Sequence, residues 1–221
     1  MLPSGKSVTA SPGEYVRVLL EHLAVAESDD DIACLAATLI AFSVEEDLPL
    51  PSVDELDPGL SRMSDAGKQA HVWGVLGSRC EGRDDYAAAV KAYARGILLE
   101  PDDRDSWYFL NNNIGFSWNQ LHEYDRGERH CRIALRCDPR RPNAYKNLAL
   151  ALQGQGRLTE AARLFIAGTE AYPRDPRSLA HLEELVAEHP EIRNDISDIE
   201  EMIEACAKAV DAALEDARGE E

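Results

Sequence analysis

The stretch PNAYKNLALALQGQGRLTEAARLFIAGTEAYP, residues 142–173, decides the fold. Its first half sets Tyr145, Leu148, Ala149 and Leu152 at three- and four-residue steps, and its second half does the same with Leu158, Ala161, Phe165 and Gly168. That period describes helices with one buried face. Gly154-Gln155-Gly156 reads as the turn between them. Pro173 ends the second helix, because proline cannot continue the hydrogen-bond ladder.

The same arrangement recurs on either side. Pro101, Pro139 and Pro173 each follow a helical stretch, 38 and 34 residues apart. Stepping by those intervals puts Trp73, Asn111, Tyr145 and Leu179 in one column, and Leu76, Ile114, Leu148 and Leu182 in the next. A small column follows, Gly77, Gly115 and Ala149. In the second half of each unit Tyr86 aligns with Tyr124 and Leu158, Ala89 with Gly127 and Ala161, and Tyr93 with Cys131 and Phe165. The small residues let paired helices approach closely, and the large ones fill the gap to the neighbour. No unit can bury its apolar face alone, so neighbours must stack.

These residues resemble the tetratricopeptide repeat family, whose unit is a helix pair of about 34 residues. Trp73-x2-Leu76-Gly77, Ala89, Tyr93 and Pro101 match its signature, and so do Tyr145-x2-Leu148-Ala149, Ala161, Phe165 and Pro173. The middle unit departs from it: Asn111 stands for an aromatic and Gly127 for alanine, and four residues are added. Trp107 and Leu110 lie 34 residues after Trp73 and Leu76, which places the insertion near the start of that unit's first helix, about one turn longer.

The resemblance implies an all-α chain, a right-handed α-solenoid of helix-pair repeats with extra N- and C-terminal helices. The repeats occupy 70–189, as 70–103, 104–141, 142–175 and a partial 176–189. Residues 1–46 read as an N-terminal helix pair, Gly13–Ala26 and Ile32–Val44, with Asp29–Asp31 supplying an N-cap and an acidic first turn. Residues 47–69 form an acidic linker or ordered crossover containing Pro49, Pro51 and Pro58. Residues 190–221 read as a capping helix and acidic tail, with Ile199, Met202, Ile203, Cys206, Val210 and Leu214 on one face.

The net charge of −18 is uneven. Residues 1–69 carry 13 acids and 4 bases and residues 183–221 carry 14 and 3, whereas 70–182 carry 14 and 16. Acidic flanks repel phosphate, so neither nucleic acid nor a membrane surface is expected as partner. The longest apolar stretch, Ile32–Val44, is too short for a bilayer span of about 20 residues. The first dozen residues show no apolar secretory core, and a cytoplasmic location is expected. Five cysteines without a CxxC read as reduced, buried small hydrophobes.

Catalytic patterns are lacking. Gly5-Lys6-Ser7 has neither the upstream glycine nor the preceding strand of a phosphate loop. The six histidines form no HExxH and no Cys/His set at zinc spacing, and no serine has a GxSxG context. No catalytic residue, metal or cofactor is expected, and the chain reads as a non-catalytic module.

In stacked helix pairs the first helix of each pair lines the concave side. Residues flanking the packing columns there form the expected groove: Phe109, Asn112, Asn113, Phe116 and Asn119 in the middle unit, Asn143, Lys146, Asn147, Leu150 and Gln153 in the third, and Arg177 after it. Asn113 and Asn147 share a column, and the resemblance implies that such amides contact a bound peptide backbone. Lys146 and Arg177 add attraction for a carboxylate. The two-carboxylate clamp of chaperone-binding relatives is incomplete, since Gly74 and Ser78 stand where its Lys and Asn belong. The expected partner is another protein or a peptide segment. The alternative is a homo-oligomer joined through its ends or charged faces, with Arg126, Arg129, Arg132, Arg136, Arg140 and Arg141 as a basic stripe for the acidic flanks.

Overall fold

A computed structural model describes residues 11–219, and Gly5-Lys6-Ser7 lies outside the described residues. Among them are twelve helices and no strand, as the period of the sequence requires. The chain divides into two compact units, one through Pro101 and one from Asp102.

The first unit holds α1 (Pro12–Val25), α2 (Asp29–Glu45), α3 (Val53–Leu60), α4 (Ala66–Glu81) and α5 (Tyr86–Leu98). The pair α4–α5 is the first repeat. Gly77 makes its close approach possible, since a Cβ there would sit 2.5 Å from the buried Tyr93 ring. The N-terminal helices pack on this repeat, α2 against α4 and α3 against α5. Polar ties reinforce the packing: Arg83 donates to the Ser43 carbonyl at 2.9 Å and Arg62 to the Leu23 carbonyl at 2.6 Å.

Two local expectations change here. Ser28, not an aspartate, caps α2, accepting the Asp31 N–H at 3.1 Å. Asp29 instead turns outward to accept from the Ser64 and Asp65 N–H groups at 3.0 and 2.8 Å, which holds its carboxyl below the usual range. Residues 47–60, read as a linker or crossover, contain the two-turn helix α3. A Ser52–Glu55 capping box starts it, Pro58 is tolerated within it, and Leu56 and Leu60 are fully buried.

The second unit holds α6 (Arg104–Gln120), α7 (Tyr124–Cys137), α8 (Pro142–Gly154), α9 (Leu158–Ala171), α10 (Arg177–Glu188), α11 (Ile192–Asp195) and α12 (Ile199–Gly219). Helix α6 has 17 residues against 13 in α8, so the extra residues of the middle unit lengthen its first helix. The second helices α7 and α9 pack on their own partners and on the next first helix. The core around Phe165, Leu182 and Leu185 continues onto α12 through Ile199, Cys206 and Val210, which closes the end of the stack.

Each repeat turns between its helices in the same way. Asp84, His122 and Gly156 occupy one column and adopt φ of 58°, 60° and 76°, and the following N–H reaches back five residues to a helix carbonyl at 2.9–3.0 Å. This is the left-handed close of a helix C-terminus. Only the third repeat places glycine there, so the sequence reveals the turn at Gly156 and conceals it at Asp84 and His122.

Candidate binding face of the second unit

Helices α6, α8 and α10 lie side by side in the second unit. Their shared face carries every residue expected to bind a partner, but the structure sorts those residues into two groups.

Asn112 and Asn147 belong to the seam rather than the surface. They are 5% and 3% exposed, and the Asn147 amide donates to Asn112 Oδ1 at 3.1 Å across the α6–α8 contact. Asn112 in turn donates to Asn113 Oδ1 at 2.8 Å, and Asn119 donates to the Asn147 carbonyl at 2.8 Å. Asn147 Oδ1 is buried with no hydrogen-bond partner among the described residues. The expectation of two equivalent peptide-facing asparagines is therefore corrected: Asn113 is half-buried at the edge and Asn147 is sealed inside. The cause is the direct neighbour relation of Asn112 and Asn147, 35 residues apart, which alignment by columns does not display.

The remaining residues stay accessible. Phe109 is 41% exposed, and Phe116, Leu150, Asn143 and Lys146 are half-buried. Arg177 is exposed and pinned, donating from Nε to Asp175 Oδ1 at 2.8 Å and from a terminal nitrogen to Asn143 Oδ1 at 2.9 Å. The bond from Arg177 holds the Asp175 carboxyl below the usual range. Lys146 differs. Its ammonium forms no ion pair or hydrogen bond among the described residues. Burial pushes its pKa below the usual lysine value, the charge of Arg177 lowers it further, and Asp175 opposes. His181 of α10 completes the group, its ring stacked on Phe165 with centroids 5.5 Å apart. Burial, and then the charge of Lys146, lowers its pKa. The result is a half-enclosed corner with two carboxylates beside it, Asp175 claimed by Arg177 and Glu184 lying 3.7 Å from the His181 ring.

At the other end of α8 the face opens into a pocket of about 320 Å³, lined by Asn119, Gln120, His122, Tyr124, Leu150 and Gln153. It carries amide, imidazole and phenol groups and no charged side chain. The His122 ring sits 2.7 Å from the Tyr124 hydroxyl. Of its lining, Asn119, Leu150 and Gln153 are among the residues expected to face the groove, whereas Gln120, Tyr124 and His122, which stands in the left-handed turn after α6, are not. In the first repeat, His71 and Ser78 are exposed while Gly74 is buried. No three His, Cys, Asp or Glu side chains converge as a metal-binding group among the described residues, and no described helix is long and apolar enough to cross a membrane.

No family model matches the chain. It is 33% identical over 97 residues to small glutamine-rich tetratricopeptide repeat-containing protein 2 of Mycosarcoma maydis, a match covering 44% of this chain and 26% of that protein. The chain thus spans about a quarter of that relative's length. It is 25% identical over 134 residues to the photosystem I assembly protein Ycf3 of Prochlorococcus marinus, covering 61% of this chain and 69% of that one. Among solved structures, MamA from Desulfovibrio magneticus RS-1 superposes with a TM-score of 0.58 at 16% identity, over 85% of this chain and 98% of that chain. The first TPR domain of human RPAP3 gives 0.51 at 19% identity, over 57% and 95%.

Proposed function

The chain carries tetratricopeptide-type repeats in sequence and in fold, and on that premise we propose that it is a non-catalytic interaction module. Its second unit binds a partner polypeptide segment on the face of α6, α8 and α10. The observation that carries this reading is the corner at Lys146. A half-buried ammonium whose nearest carboxylate is held by another residue is an unfavourable arrangement, and a carboxylate from outside relieves it. Arg177, already held by Asp175 and Asn143, gives that carboxylate a second, preoriented donor.

The rest of the face specifies what accompanies the acid. Lys146, Leu150 and Gln153 follow one another along α8, spanning seven residues or about 10 Å. An extended chain covers that distance in about three residues. The favoured segment thus carries a carboxylate at one end, an apolar side chain against Leu150, Phe116 and Phe109, and a neutral hydrogen-bonding group toward the His122–Tyr124 pocket. The preformed face lowers the entropy cost of ordering such a segment.

The test is selection of random decapeptides on the full chain, followed by fluorescence polarisation of the selected sequences. Peptides bearing an acid beside an apolar residue should be enriched. Lys146→Glu with Arg177→Glu should weaken their binding by roughly 10- to 100-fold, the range expected for losing charge-assisted hydrogen bonds. Phe109→Ala should weaken it less. Selection of basic or uncharged peptides, or equal binding by the reversed variant with unchanged helicity, would overturn the reading.

A further inference from the structure

Helix α7 turns its buried seam, Gly127, Cys131 and Ala134, toward its neighbours. Its outward ridge is Asp125, Arg129, Arg132 and Arg136, all exposed. Much of the arginine stripe is engaged within the chain. Arg126 lies 4.5 Å over the Trp118 ring and 3.7 Å from Glu123. Arg132 pairs with Glu128 at 2.7 Å, and Arg140 with Asp138 at 3.1 Å. Arg141 covers the Tyr108 ring at 4.6 Å. Arg129 and Arg136 are different. They stand two turns apart on the ridge, about 10 Å, and neither forms an ion pair or hydrogen bond among the described residues.

The same unit carries the opposite surface. Helix α12 buries Ile199, Cys206 and Val210 and presents Glu201, Asp211 and Glu215 on its outer side. Glu200 and Glu204 are paired, to Arg193 at 2.6 Å and to Lys208 at 2.7 Å. Glu201, Asp211 and Glu215 have no such partner among the described residues. Helix α12 is held on α9 and α10, while α7 packs on α6 and α8. No ion pair links α7 to α12 among the described residues. The second unit thus holds, on different helices, one ridge with two unpaired arginines and another with three unpaired carboxylates among the described residues.

We propose that the arginine ridge of α7 docks the acidic ridge of α12 from a second copy of this chain. Because the two ridges are different surfaces, the contact is head-to-tail, and a pair of copies keeps one free ridge of each sign. The occupant is a second copy because the complement is present on the chain itself, in the same helical form. The net charge of −18 opposes association at long range. At physiological salt, however, screening acts beyond about 8 Å, so the ridge-to-ridge pairs in contact decide the outcome.

The experiment is sedimentation velocity on the full chain over rising concentration at fixed salt, with circular dichroism to verify folding. Wild type should show a sedimentation coefficient that climbs with concentration. Arg129→Glu with Arg136→Glu, and separately Glu201→Lys with Asp211→Lys and Glu215→Lys, should each lose association at least about tenfold, since like charges then meet. Mixed together, the two variants should associate again, because the intact acidic ridge of the first meets the intact basic ridge of the second and the two reversed ridges are likewise complementary. Three results would overturn the proposal: wild type monomeric at every concentration, variants that associate like wild type, or a mixture that stays monomeric. A monomeric wild type that binds polyglutamate through Arg129 and Arg136 would assign the ridge to another acidic protein instead.

Discussion

The substitution Gly127→Ala isolates the physical reason for one departure of the middle repeat. In a helix interior, replacing glycine by alanine ordinarily stabilises by about 1 kcal/mol. Here the added Cβ would lie 2.0 Å from Asn119 Oδ1 and 3.1 Å from the Gly115 carbonyl oxygen. Asn119 is 6% exposed and donates to the Asn147 carbonyl at 2.8 Å, so it has little room to retreat. Overpacking of this kind costs about 1–3 kcal/mol, and losing a buried hydrogen bond adds about 1–2 kcal/mol. After the propensity gain, a net destabilisation of about 1–4 kcal/mol is expected. In an Asn119→Ala background only the milder approach to the Gly115 carbonyl at 3.1 Å remains, so the same substitution should be near neutral, or stabilising by up to about 1 kcal/mol. The assay is urea unfolding of the four members of the cycle, followed by circular dichroism and by Trp fluorescence, since Trp107 and Trp118 both lie in α6. The sign change between backgrounds is the diagnostic. An equal effect of Gly127→Ala in both would refute the account and assign the glycine to the backbone approach alone.

Other outcomes follow from the same geometry. Burial lowers the pKa of His130 and of His181. As the pH falls below their unfolded value of about 6.5 the unfolded chain takes up protons that the folded chain resists, and stability should decrease. Thermal melts from pH 8 to pH 5 check this, and His130→Gln with His181→Gln should flatten that part of the profile. His122 holds φ of 60°, so His122→Gly should raise stability by up to about 1 kcal/mol, read by urea unfolding, with the lost contact to Tyr124 setting how much of that gain survives.

Much of this architecture was legible because the repeat writes it several times. Trp73, Tyr93, Tyr145 and Phe165 mark the packing columns by size, and the prolines mark the ends. Trp73, Tyr93 and Phe165 are all fully buried. Features present once were harder to read. Helix α3 is only eight residues long and contains a proline, so a window tuned to periodicity passes over it, although Ser52 and Glu55 supplied a capping box. The face of α6, α8 and α10 was legible as a location but not as an inventory. Helical spacing gives the direction of a side chain within its own helix. It does not tell whether the neighbouring helix arrives with a partner for it, as Asn147 does for Asn112. Lys146 presents the converse case, since nothing in the sequence indicates that Arg177 already holds the nearest aspartate.

The anomalies of the middle repeat form one connected device. Asn111 sits fully buried where the neighbouring repeats carry an aromatic, donating to the Trp107 carbonyl at 2.9 Å and accepting from His130 Nδ1 at 3.0 Å. Asn119 reaches α8 only because Gly127 leaves space for it, and Asn112 meets Asn147 on the same seam. An apolar seam tolerates small slips of one helix along another, whereas an amide seam does not, because each slip leaves a buried donor or acceptor unpaired at about 1–3 kcal/mol. The seam retains two such costs even in its native register, at Asn119 Oδ1 and Asn147 Oδ1. What it secures is the offset between α6 and α8. That offset sets where Asn113 and Phe116 stand relative to Lys146 and Leu150. The buried asparagines thus fix the spacing of the proposed binding face, and of them only Asn119 lines its pocket.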